Sequence, residues 1–313
     1  MAVIDKYNFS GKRALIRVDF NVPMDKTTLT ITDNTRIKAA IPTIKKVLDA
    51  GGSVVLMSHM GRPKSGPEPK YSLENIVSEI EKELGREVIF AGDCIGNKAF
   101  EITSNLKPGN VVLLENLRFY PQEKVGDKSF AEKLAKHGDL YINDAFGTAH
   151  RAHASTTVVA EFFPNDKMFG YLIEREIVSV DKVLNSSEKP LTAIVGGAKV
   201  SSKITIINKL IDKVDNLIIG GGMAYTFAKA KGGTVGNSLV EDDFLEMAKD
   251  IMSNAKAKGV NILIPIDTVI ADSFSNDANR KSCSTESIPD GWMGLDIAEE
   301  SITKFKRAVL DSK

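Results

Sequence analysis

The sequence predicts an α/β fold with two doubly wound, parallel-sheet (Rossmann-like) lobes that are joined by an interdomain helix. Short runs of Val, Ile and Leu alternate with stretches of helical period almost from end to end. Such runs are typical of parallel strands buried on both faces, and strands that alternate with helices imply right-handed crossovers. The alternation pauses once and restarts, and a length of 313 residues favours two domains.

In the first lobe, five short apolar runs are expected to be strands: residues 14–20, 54–57, 87–91, 111–114 and 140–143. Helices are expected between them, where apolar residues recur every three or four positions. One helix carries the repeat at 37, 41, 44 and 48 and should end at the glycine pair 51–52. A second helix, over 76–84, should end at Gly85.

The pause in the pattern marks the expected boundary between the lobes. Residues 174–184 have a helical pattern with few turn residues, and 185–190 (NSSEKP) is typical of a loop. We therefore expect a first domain over 1–170, an interdomain helix over 171–186 and a second domain over 187–313. In the second domain, strands are expected at 191–195, 216–219 and 261–266, and helices at 200–214, 223–231, 242–258 and 301–310.

Composition argues against several classes of protein. Acidic and basic residues balance at 41 each, whereas nucleic-acid-binding proteins usually carry a net basic charge. The N-terminal stretch lacks the apolar region of a signal peptide, and no apolar run reaches the roughly 18 residues that a membrane span needs. Cys94 and Cys283, the only cysteines, predict neither a disulfide framework nor a zinc site. We expect a cytoplasmic protein with no membrane or nucleic-acid partner.

Charged and polar side chains follow the predicted strands of the first lobe, at the sheet edge where open α/β sheets bind ligands. The segments RVDFNVP, SHMGRP, LENLRF and NDAFGTAHRAH, and the start of the first helix, place these residues there: Asp19, Asn21, Arg36, His59, Arg62, Arg118, His150, Arg151 and His153. Arginine binds phosphate and carboxylate through a planar fork of donors. Four arginines on one rim therefore predict a small ligand that bears both groups. The alternative is that each arginine pairs locally with an Asp or a Glu.

In the second lobe, glycines and lysines follow the strands. GGAKVSSK (196–203) contains Gly197, Lys199 and Lys203, and the i, i+4 spacing of the lysines predicts one face at the start of a helix. A helix N-terminus with two lysines suits phosphate groups, although solvated surface lysines are the alternative. GGGMAYTF (220–227) and DGWMGLD (290–296) add further glycines. No Walker A motif is present, and no G-x-G-x-x-G follows the first strand, which disfavours P-loop and dinucleotide-binding proteins.

The chain resembles the phosphoglycerate kinase family in seven segments that occur in this order: RVDFNVP, SHMGRP, LENLRF, NDAFGTAHRAHAST, GGAKVSSKI, IIGGGMAYTF and DGWMGLD. The resemblance extends over essentially the whole chain. It implies a reversible step of glycolysis and gluconeogenesis, in which 1,3-bisphosphoglycerate and Mg-ADP give 3-phosphoglycerate and Mg-ATP. The first domain would bind 3-phosphoglycerate and the second the nucleotide, in a monomer whose lobes close about a hinge.

Carried over residue by residue, the resemblance implies one site in each lobe. The 3-phosphoglycerate site would comprise Asp19, Asn21, Arg36, His59, Arg62, Arg118 and Arg151. The nucleotide site would comprise Gly197, Lys199 and Lys203, with Gly221, Gly222 and Gly294 near the adenosine. Arg36 and Lys203 would stabilise the charge on the transferred group, with help from Lys199. No protein residue is expected to hold a metal ion, so Mg²⁺ would arrive with ATP or ADP.

The resemblance stops short of the family's usual C-terminus. Family members continue with a WNGPMG-type strand, a GGGDS/T loop and a tail, none of which is present before Lys313. The second lobe is then expected to be incomplete. One alternative stays open, a truncated chain that binds anionic metabolites with little or no kinase activity. A dinucleotide-dependent oxidoreductase is disfavoured by the clustered arginines and the missing glycine motif.

Overall fold

The computed structural model describes residues 3–64, 66–185 and 188–313. The chain divides into two compact units, one that ends at Val183 and one that begins at Leu184. Each unit has parallel strands with helices packed on them, so the predicted α/β fold is confirmed. The division falls within a helix, Tyr171–Asn185, which overlaps the expected interdomain helix. The domain boundaries at 170 and 186 stay predictions.

The first unit is built on a six-stranded sheet whose strand pairs are all parallel. In chain order the strands are β1 (Arg13–Arg17), β2 (Ser53–Met57), β3 (Ile89–Phe90), β4 (Val111–Leu113), β5 (Leu140–Asn143) and β6 (Lys167–Phe169). They lie in the order β3-β4-β2-β1-β5-β6. Arg17 lies opposite both Met57 and Asn143, so the carboxyl ends of β1, β2 and β5 are level. The sequence did not predict β6, because three residues are too few for a periodic pattern.

The described residues of the first unit also form the helices α1 (Thr35–Asp49), α2 (Val77–Leu84), α3 (Asn97–Ser104), α4 (Gln122–Val125), α5 (Lys128–Ala135) and α6 (Phe146–Ala149), and α7 (Tyr171–Asn185) crosses the division between the units. Short 3₁₀ helices lie at Ile4–Lys6, Pro69–Tyr71, Leu73–Ile76, Leu117–Phe119 and Val158–Phe162. As predicted, α2 ends at Gly85, whose φ of 66° lies in the left-handed region that closes many helices.

Burial on both faces explains why the central strands are continuously apolar. In β1, Ala14 and Ile16 belong to a core cluster with side chains of α1 and α2, whereas Leu15 belongs to a cluster with side chains of α5. Successive strand residues point to opposite faces, so both sets must be apolar. Arg17 is also buried, although it is charged, and lies at the carboxyl end of the strand.

The residues of the second unit that the structure describes form three small sheets. A parallel sheet has β7 (Thr192–Gly196), β8 (Asn216–Gly220) and β10 (Asn261–Leu263) in the order β10-β8-β7, and β9 (Thr234–Val235) pairs with β13 (Ser287–Ile288). An antiparallel sheet places β11 (Asp267–Ala271) between β12 (Arg280–Ser284) and β14 (Met293–Ile297). This antiparallel sheet was not predicted, because β12 is mostly exposed and polar and so lacks an apolar run.

The helices in the described part of this unit are α8 (Ile204–Ile211), α9 (Met223–Ala230), α10 (Leu245–Ala257) and α11 (Glu299–Leu310), with a 3₁₀ turn at Asp242–Phe244 before α10. One apolar cluster joins α8, α9 and α10 to β7 and β8. Within the described parts of the chain, no helix combines the length and the apolar character that a membrane crossing requires.

Candidate active site

Three loops at the carboxyl ends of first-unit strands are bonded to one another around Gly61. Asn21 Oδ1 accepts a hydrogen bond from the Gly61 backbone N–H at 2.8 Å, and Arg118 Nη1 donates to the Gly61 carbonyl at 2.7 Å. Gly61 has a φ of 59°, and a methyl group there would lie 2.3 Å from the ring of Tyr71. Glycine is therefore required where the loops after β1, β2 and β4 meet.

Asn116, which the sequence did not single out, holds the loop after β2 and the loop after β4 together. It is fully buried, and its Oδ1 accepts from the backbone N–H groups of Met60 and Arg118 at 3.1 and 3.0 Å. Its Nδ2 donates to the carbonyls of Met60 and Tyr71 at 2.8 and 2.9 Å. A buried side-chain amide with satisfied partners fixes the backbone that carries Arg118.

Arg36 lies in the first turn of α1, and its side chain is 52% exposed. Its Nη1 donates to Asp19 Oδ2 at 3.1 Å and to the Asn21 carbonyl at 3.0 Å. Three predicted site residues thus lie together at the end of β1. The local pairing of arginine with an acid, which the sequence left open, is present here, but the exposed guanidinium keeps donors free for an anion.

His59 is almost completely buried beneath the charged side chains, at 4% exposure. Burial and, after it, the positive charges of nearby arginines together lower its pKa to about 2. The arginines that act on it are Arg17, Arg118, Arg151 and Arg36. At neutral pH His59 is therefore an uncharged imidazole within a basic cluster.

The same electrostatic coupling connects the remaining arginines. Burial lowers the pKa of Arg118, and the charges of Arg151, Arg17 and Arg62 act in the same direction. Arg62 and Arg151 are exposed, so the cluster opens to solvent. Arg62, Arg118 and Arg151 thus lie within electrostatic range of one another, and Arg36 acts on the same buried His59, so an anionic ligand would relieve this concentration of positive charge.

Beneath the rim lies a buried polar layer that the sequence did not identify. Arg17 is fully buried, and its Nε donates to Ser155 Oγ at 2.9 Å while its Nη2 lies 3.0 Å from His59 Nδ1. Glu123, equally buried in α4, accepts from the backbone N–H of Ser155 at 2.9 Å and from its hydroxyl at 2.6 Å. Glu123 is a glutamate in a short helix, and its sequence context gives no sign of burial.

The loop after β5 carries Arg151 and two histidines, of which His150 is exposed. The backbone carbonyl of Arg151 accepts a hydrogen bond from Thr156 Oγ1 at 2.6 Å, which fixes the backbone at this position. The Arg151 side chain contacts His150, with Nε 3.4 Å from His150 Nε2. His153 is largely buried, with Nδ1 3.8 Å from Glu123 Oε1, and burial lowers its pKa. Arg151 can therefore face an anion, whereas His153 belongs to the buried layer.

In the second unit, the glycine segments after β7 and β8 pack directly on one another. Gly221 has a φ of 69°, and a methyl group there would lie 2.9 Å from both the N and the O of Gly197. The Met223 backbone N–H, at the start of α9, donates to the Gly197 carbonyl at 2.9 Å. Here the glycines bring two backbone segments together, which side chains would prevent.

The prediction that Lys199 and Lys203 share one face of a helix was wrong. Helix α8 begins only at Ile204, and Lys199 lies before a turn that is closed by the Lys203 N–H donating to the Val200 carbonyl at 2.8 Å. Ser202 Oγ donates to the Lys199 carbonyl at 3.0 Å, a local bond that competes with helix formation. The Lys203 side chain nevertheless lies over Gly197, because a methyl group placed on Gly197 would be 3.5 Å from Lys203 Cε.

A cavity of about 340 Å³ in the second unit contains two of the predicted nucleotide-binding glycines, Gly222 and Gly294. Its other lining residues are Tyr225, Asn237, Leu239, Phe274, Met293 and Leu295, and Phe274 is 88% exposed. A methyl group at Gly294 would lie within 2.3 Å of the Tyr225 ring, so this glycine also meets a packing requirement. Gly221 lines a neighbouring cleft instead.

These surroundings bear on whether the protein itself could hold a metal ion. Among the residues that the structure describes, no group of three or more His, Cys, Asp or Glu side chains is arranged to bind one. The side chain that lies closest to a methyl group placed at Gly197 is that of Lys203, which suits phosphate oxygens. A Mg²⁺ ion that comes with a polyphosphate would be held chiefly by the phosphates themselves.

The fold is that of an α/β protein with an arginine-lined surface in one unit and a glycine-lined cavity in the other, an arrangement typical of enzymes that act on phosphorylated substrates. Residues 4–313 match the sequence model of the family described as phosphoglycerate kinase. A phosphoglycerate kinase of Porphyromonas gingivalis is 50% identical, over 99% of this chain and 79% of its own length. The chain therefore belongs to the phosphoglycerate kinase family and is a phosphotransferase.

Two further similarities agree with this assignment. A chloroplastic phosphoglycerate kinase of Volvox carteri is 53% identical, over 99% of this chain and 67% of that protein. The solved structure of a phosphoglycerate kinase from Coxiella burnetii superposes with a TM-score of 0.80 at 34% identity, covering 98% of this chain and 77% of that one. The family resemblance seen in the sequence segments is confirmed.

Proposed function

We propose that this chain transfers a phosphoryl group reversibly between 1,3-bisphosphoglycerate and ADP, giving 3-phosphoglycerate and ATP in glycolysis and gluconeogenesis. The observation that carries the proposal is the cluster of arginines around buried His59 at the carboxyl ends of β1, β2, β4 and β5. Several positive charges gathered around one buried imidazole favour a ligand with two anionic groups, and 3-phosphoglycerate has a phosphate at one end and a carboxylate at the other.

Within the first unit, the basic side chains would hold the phosphate of the acid. These side chains are His59, Arg62, Arg118 and Arg151. Asp19 and Asn21 would bind the hydroxyl and carboxyl end, next to Arg36. The hydrogen bonds of Arg36 to Asp19 and to the Asn21 carbonyl support this arrangement, because they keep its guanidinium beside the groups that would bind the carboxylate.

The chemistry needs charge stabilisation and alignment more than proton transfer. In the ATP-consuming direction the nucleophile is a carboxylate, which is already ionised at pH 7, so no general base is required. Phosphoryl transfer then depends on positioning and on positive groups that neutralise the transferred phosphoryl group. We assign this stabilisation to Arg36 and Lys203, with Lys199 assisting on the nucleotide side.

The nucleotide would bind in the second unit. Gly197, Lys199 and Lys203 would contact its phosphates, and Gly221, Gly222 and Gly294 would lie near the adenosine. The 340 Å³ cavity beside Gly222 and Gly294 has an apolar wall at Leu239, which suits an adenine ring. Mg²⁺ would arrive as the nucleotide complex, and hinge closure would bring the two substrates together.

Two finer points complete the proposal. We propose a monomeric, cytoplasmic enzyme whose ligands are small anionic metabolites, with no nucleic-acid or membrane partner. The balanced charge of 41 acidic and 41 basic residues supports this, because a nucleic-acid partner would call for an excess of basic residues.

The test is a coupled assay of ATP consumption with 3-phosphoglycerate and Mg²⁺, using this chain alone. We expect turnover that requires all three components. The second candidate is a chain that binds anionic metabolites with little kinase activity. Binding of 3-phosphoglycerate without ATP consumption would favour that candidate, and an absence of both would contradict the proposal.

A further inference from the structure

A continuous line of polar contacts runs from Glu123, deep in the first unit, to the imidazole of His59. Glu123 Oε1 lies 2.6 Å from Ser155 Oγ, Ser155 Oγ lies 2.9 Å from Arg17 Nε, and Arg17 Nη2 lies 3.0 Å from His59 Nδ1. All four residues are buried, at 0–4% exposure. Water is thus replaced at each step by a protein partner.

The chemistry of these groups fixes the direction of every hydrogen bond in the line. A guanidinium has only donors, so Arg17 must donate to Ser155 Oγ, and the serine hydroxyl is left to donate to the Glu123 carboxylate. For the same reason His59 Nδ1 must accept from Arg17 Nη2. An imidazole whose Nδ1 accepts carries its proton on Nε2 when it is neutral.

We propose that Glu123 is a positioning residue which, through Ser155 and Arg17, holds His59 as the neutral Nε2–H tautomer, an uncharged donor for the bound acid. The proposal rests on the proposed function for the identity of that acid. Glu123 does not itself touch the substrate in this account. Its role is to keep Arg17 in place, so that only Nε2 of His59 is free to donate to an anion.

The charge of Glu123 is needed because Arg17 is a fully buried cation. Burial lowers the pKa of Arg17, and the negative charges of Glu123 and Asp19 act in the opposite direction. A buried charge without a partner is strongly destabilising. Removal of the Glu123 charge should therefore displace Arg17 and release His59 Nδ1.

The charged groups around His59 also favour the neutral form of its imidazole. Arg17, Arg118, Arg151 and Arg36 all oppose its protonation, in addition to burial. A neutral imidazole can be buried among arginines at little electrostatic cost, whereas an imidazolium would add one more positive charge. A neutral donor therefore adds a hydrogen bond for the anion without adding repulsion.

The direct test is ¹⁵N NMR of the histidine side chains in the full chain, with the His59 signals assigned by their loss in His59→Gln. At pH 7 we expect Nδ1 of His59 to give the signal of an unprotonated ring nitrogen and Nε2 that of a protonated one. Addition of 3-phosphoglycerate should shift the Nε2 signal and leave the tautomer unchanged.

Two variants interrupt the line at different points. Glu123→Gln removes the charge, and Ser155→Ala removes only the hydroxyl and changes less volume, which guards against a variant that fails to fold. Each should convert His59 to a mixture of tautomers and raise the KM for 3-phosphoglycerate about 10-fold, the effect of losing one charge-assisted hydrogen bond. The kcat should fall less than KM rises. Ser155→Thr keeps the hydroxyl and should give the same ¹⁵N signals of His59 as the wild type.

Thr103→Val is the matched control, because Thr103 is also buried and its hydroxyl contacts Nδ1 of another buried histidine, His137, at 2.8 Å. It should change the signals of His137 and leave those of His59 and the KM unchanged. The proposal is wrong if the wild type carries the His59 proton on Nδ1, or if both line variants keep the Nε2–H tautomer. The tautomer is measured without turnover, so an inactive wild type would contradict the proposed function and leave this test valid.

Discussion

The two units would bind their proposed ligands by different physical means. In the first unit the site consists of charged side chains, and a buried layer of Asn116, Arg17 and Glu123 holds them in place. In the second unit glycines shape the site: Gly197 and Gly221 let two backbone segments pack together, and Gly222 and Gly294 line a cavity with apolar walls. A fixed charge suits a small acid with two anionic ends, and a shaped cavity suits a flat, largely apolar base.

The largest effect is expected from the charged site. Arg36→Ala should lower kcat by roughly 10²-fold or more, as for the loss of one key donor to a transition state. Steady-state assays with both substrates saturating would measure it. Arg86→Ala is the control, because Arg86 is an exposed arginine of the same unit that lies 3.9 Å from Asp49. A near-normal kcat for Arg36→Ala would remove the proposed role.

The two lysines of the second unit should differ, because the structure separates them. The Lys203 side chain lies over Gly197, and Lys203→Ala should lower kcat by about 10²-fold. Lys199 lies before the helix, and Lys199→Ala should have the smaller effect on kcat. Parallel kinetics of the two variants would check the order. Equal losses of kcat in the two variants would mean that, with substrate bound, Lys199 and Lys203 lie on one face of a helix, as the sequence predicted.

Glycine substitutions test the backbone site. In Gly221→Ala the new methyl group would sit on a residue with a positive φ and lie 2.9 Å from the Gly197 backbone. We expect this substitution to lower the free energy of unfolding of the second unit by about 2–3 kcal/mol. Gly291→Ala shares the positive φ but meets nothing within 4 Å, so about 1 kcal/mol is expected. Urea unfolding followed by fluorescence of Trp292, the only tryptophan, would compare them. Equal losses would show that the packing of the two loops is unimportant.

The last effect concerns acid pH and a buried histidine outside the site. Burial lowers the pKa of His137 to about 4, whereas the unfolded chain should titrate near 6.5. The unfolded state therefore binds the proton more readily, and stability is lost as the pH falls from 6.5 towards 4, by at most about 1.4 kcal/mol per pH unit from this group.

Replacement of His137 isolates its share of that loss. His137→Gln should make the free energy of unfolding of the first unit less dependent on pH in this range, as measured by hydrogen exchange at pH 7 and pH 5. His59, with its pKa lowered to about 2, should add a second contribution that persists in the variant. An unchanged pH dependence in His137→Gln would mean that His137 is already protonated in the folded state.

The contrast between the units also explains what could be predicted from the sequence. Arg36, Arg62, Arg118 and Arg151 were assigned to one rim because parallel strands end at a common edge and arginine has an unambiguous chemistry. Glu123 could not be found in this way, since nothing in a short helix indicates that a glutamate will be buried under an arginine. Its contact with Ser155 joins residues 32 positions apart.

Shape was harder to predict than charge. The glycines of the second unit were identified, but the walls of their cavity come from Leu239 and Phe274, which lie in segments without a motif. The start of α8 was placed four residues too early, because two serines and a lysine pair resemble a helix start but form a turn. Local hydrogen bonds decided the outcome there, and a periodic pattern does not record them.

The proposed activity requires that the arginine cluster hold an acid with two anionic ends. Isothermal titration calorimetry of the wild type and Arg118→Gln with 3-phosphoglycerate and with glycerate, which lacks the phosphate, tests this directly. We expect wild type to bind 3-phosphoglycerate at least about 10-fold more tightly than glycerate, and Arg118→Gln to lose most of that difference. Equal affinity of the wild type for both ligands, or an undiminished difference in the variant, would contradict the account.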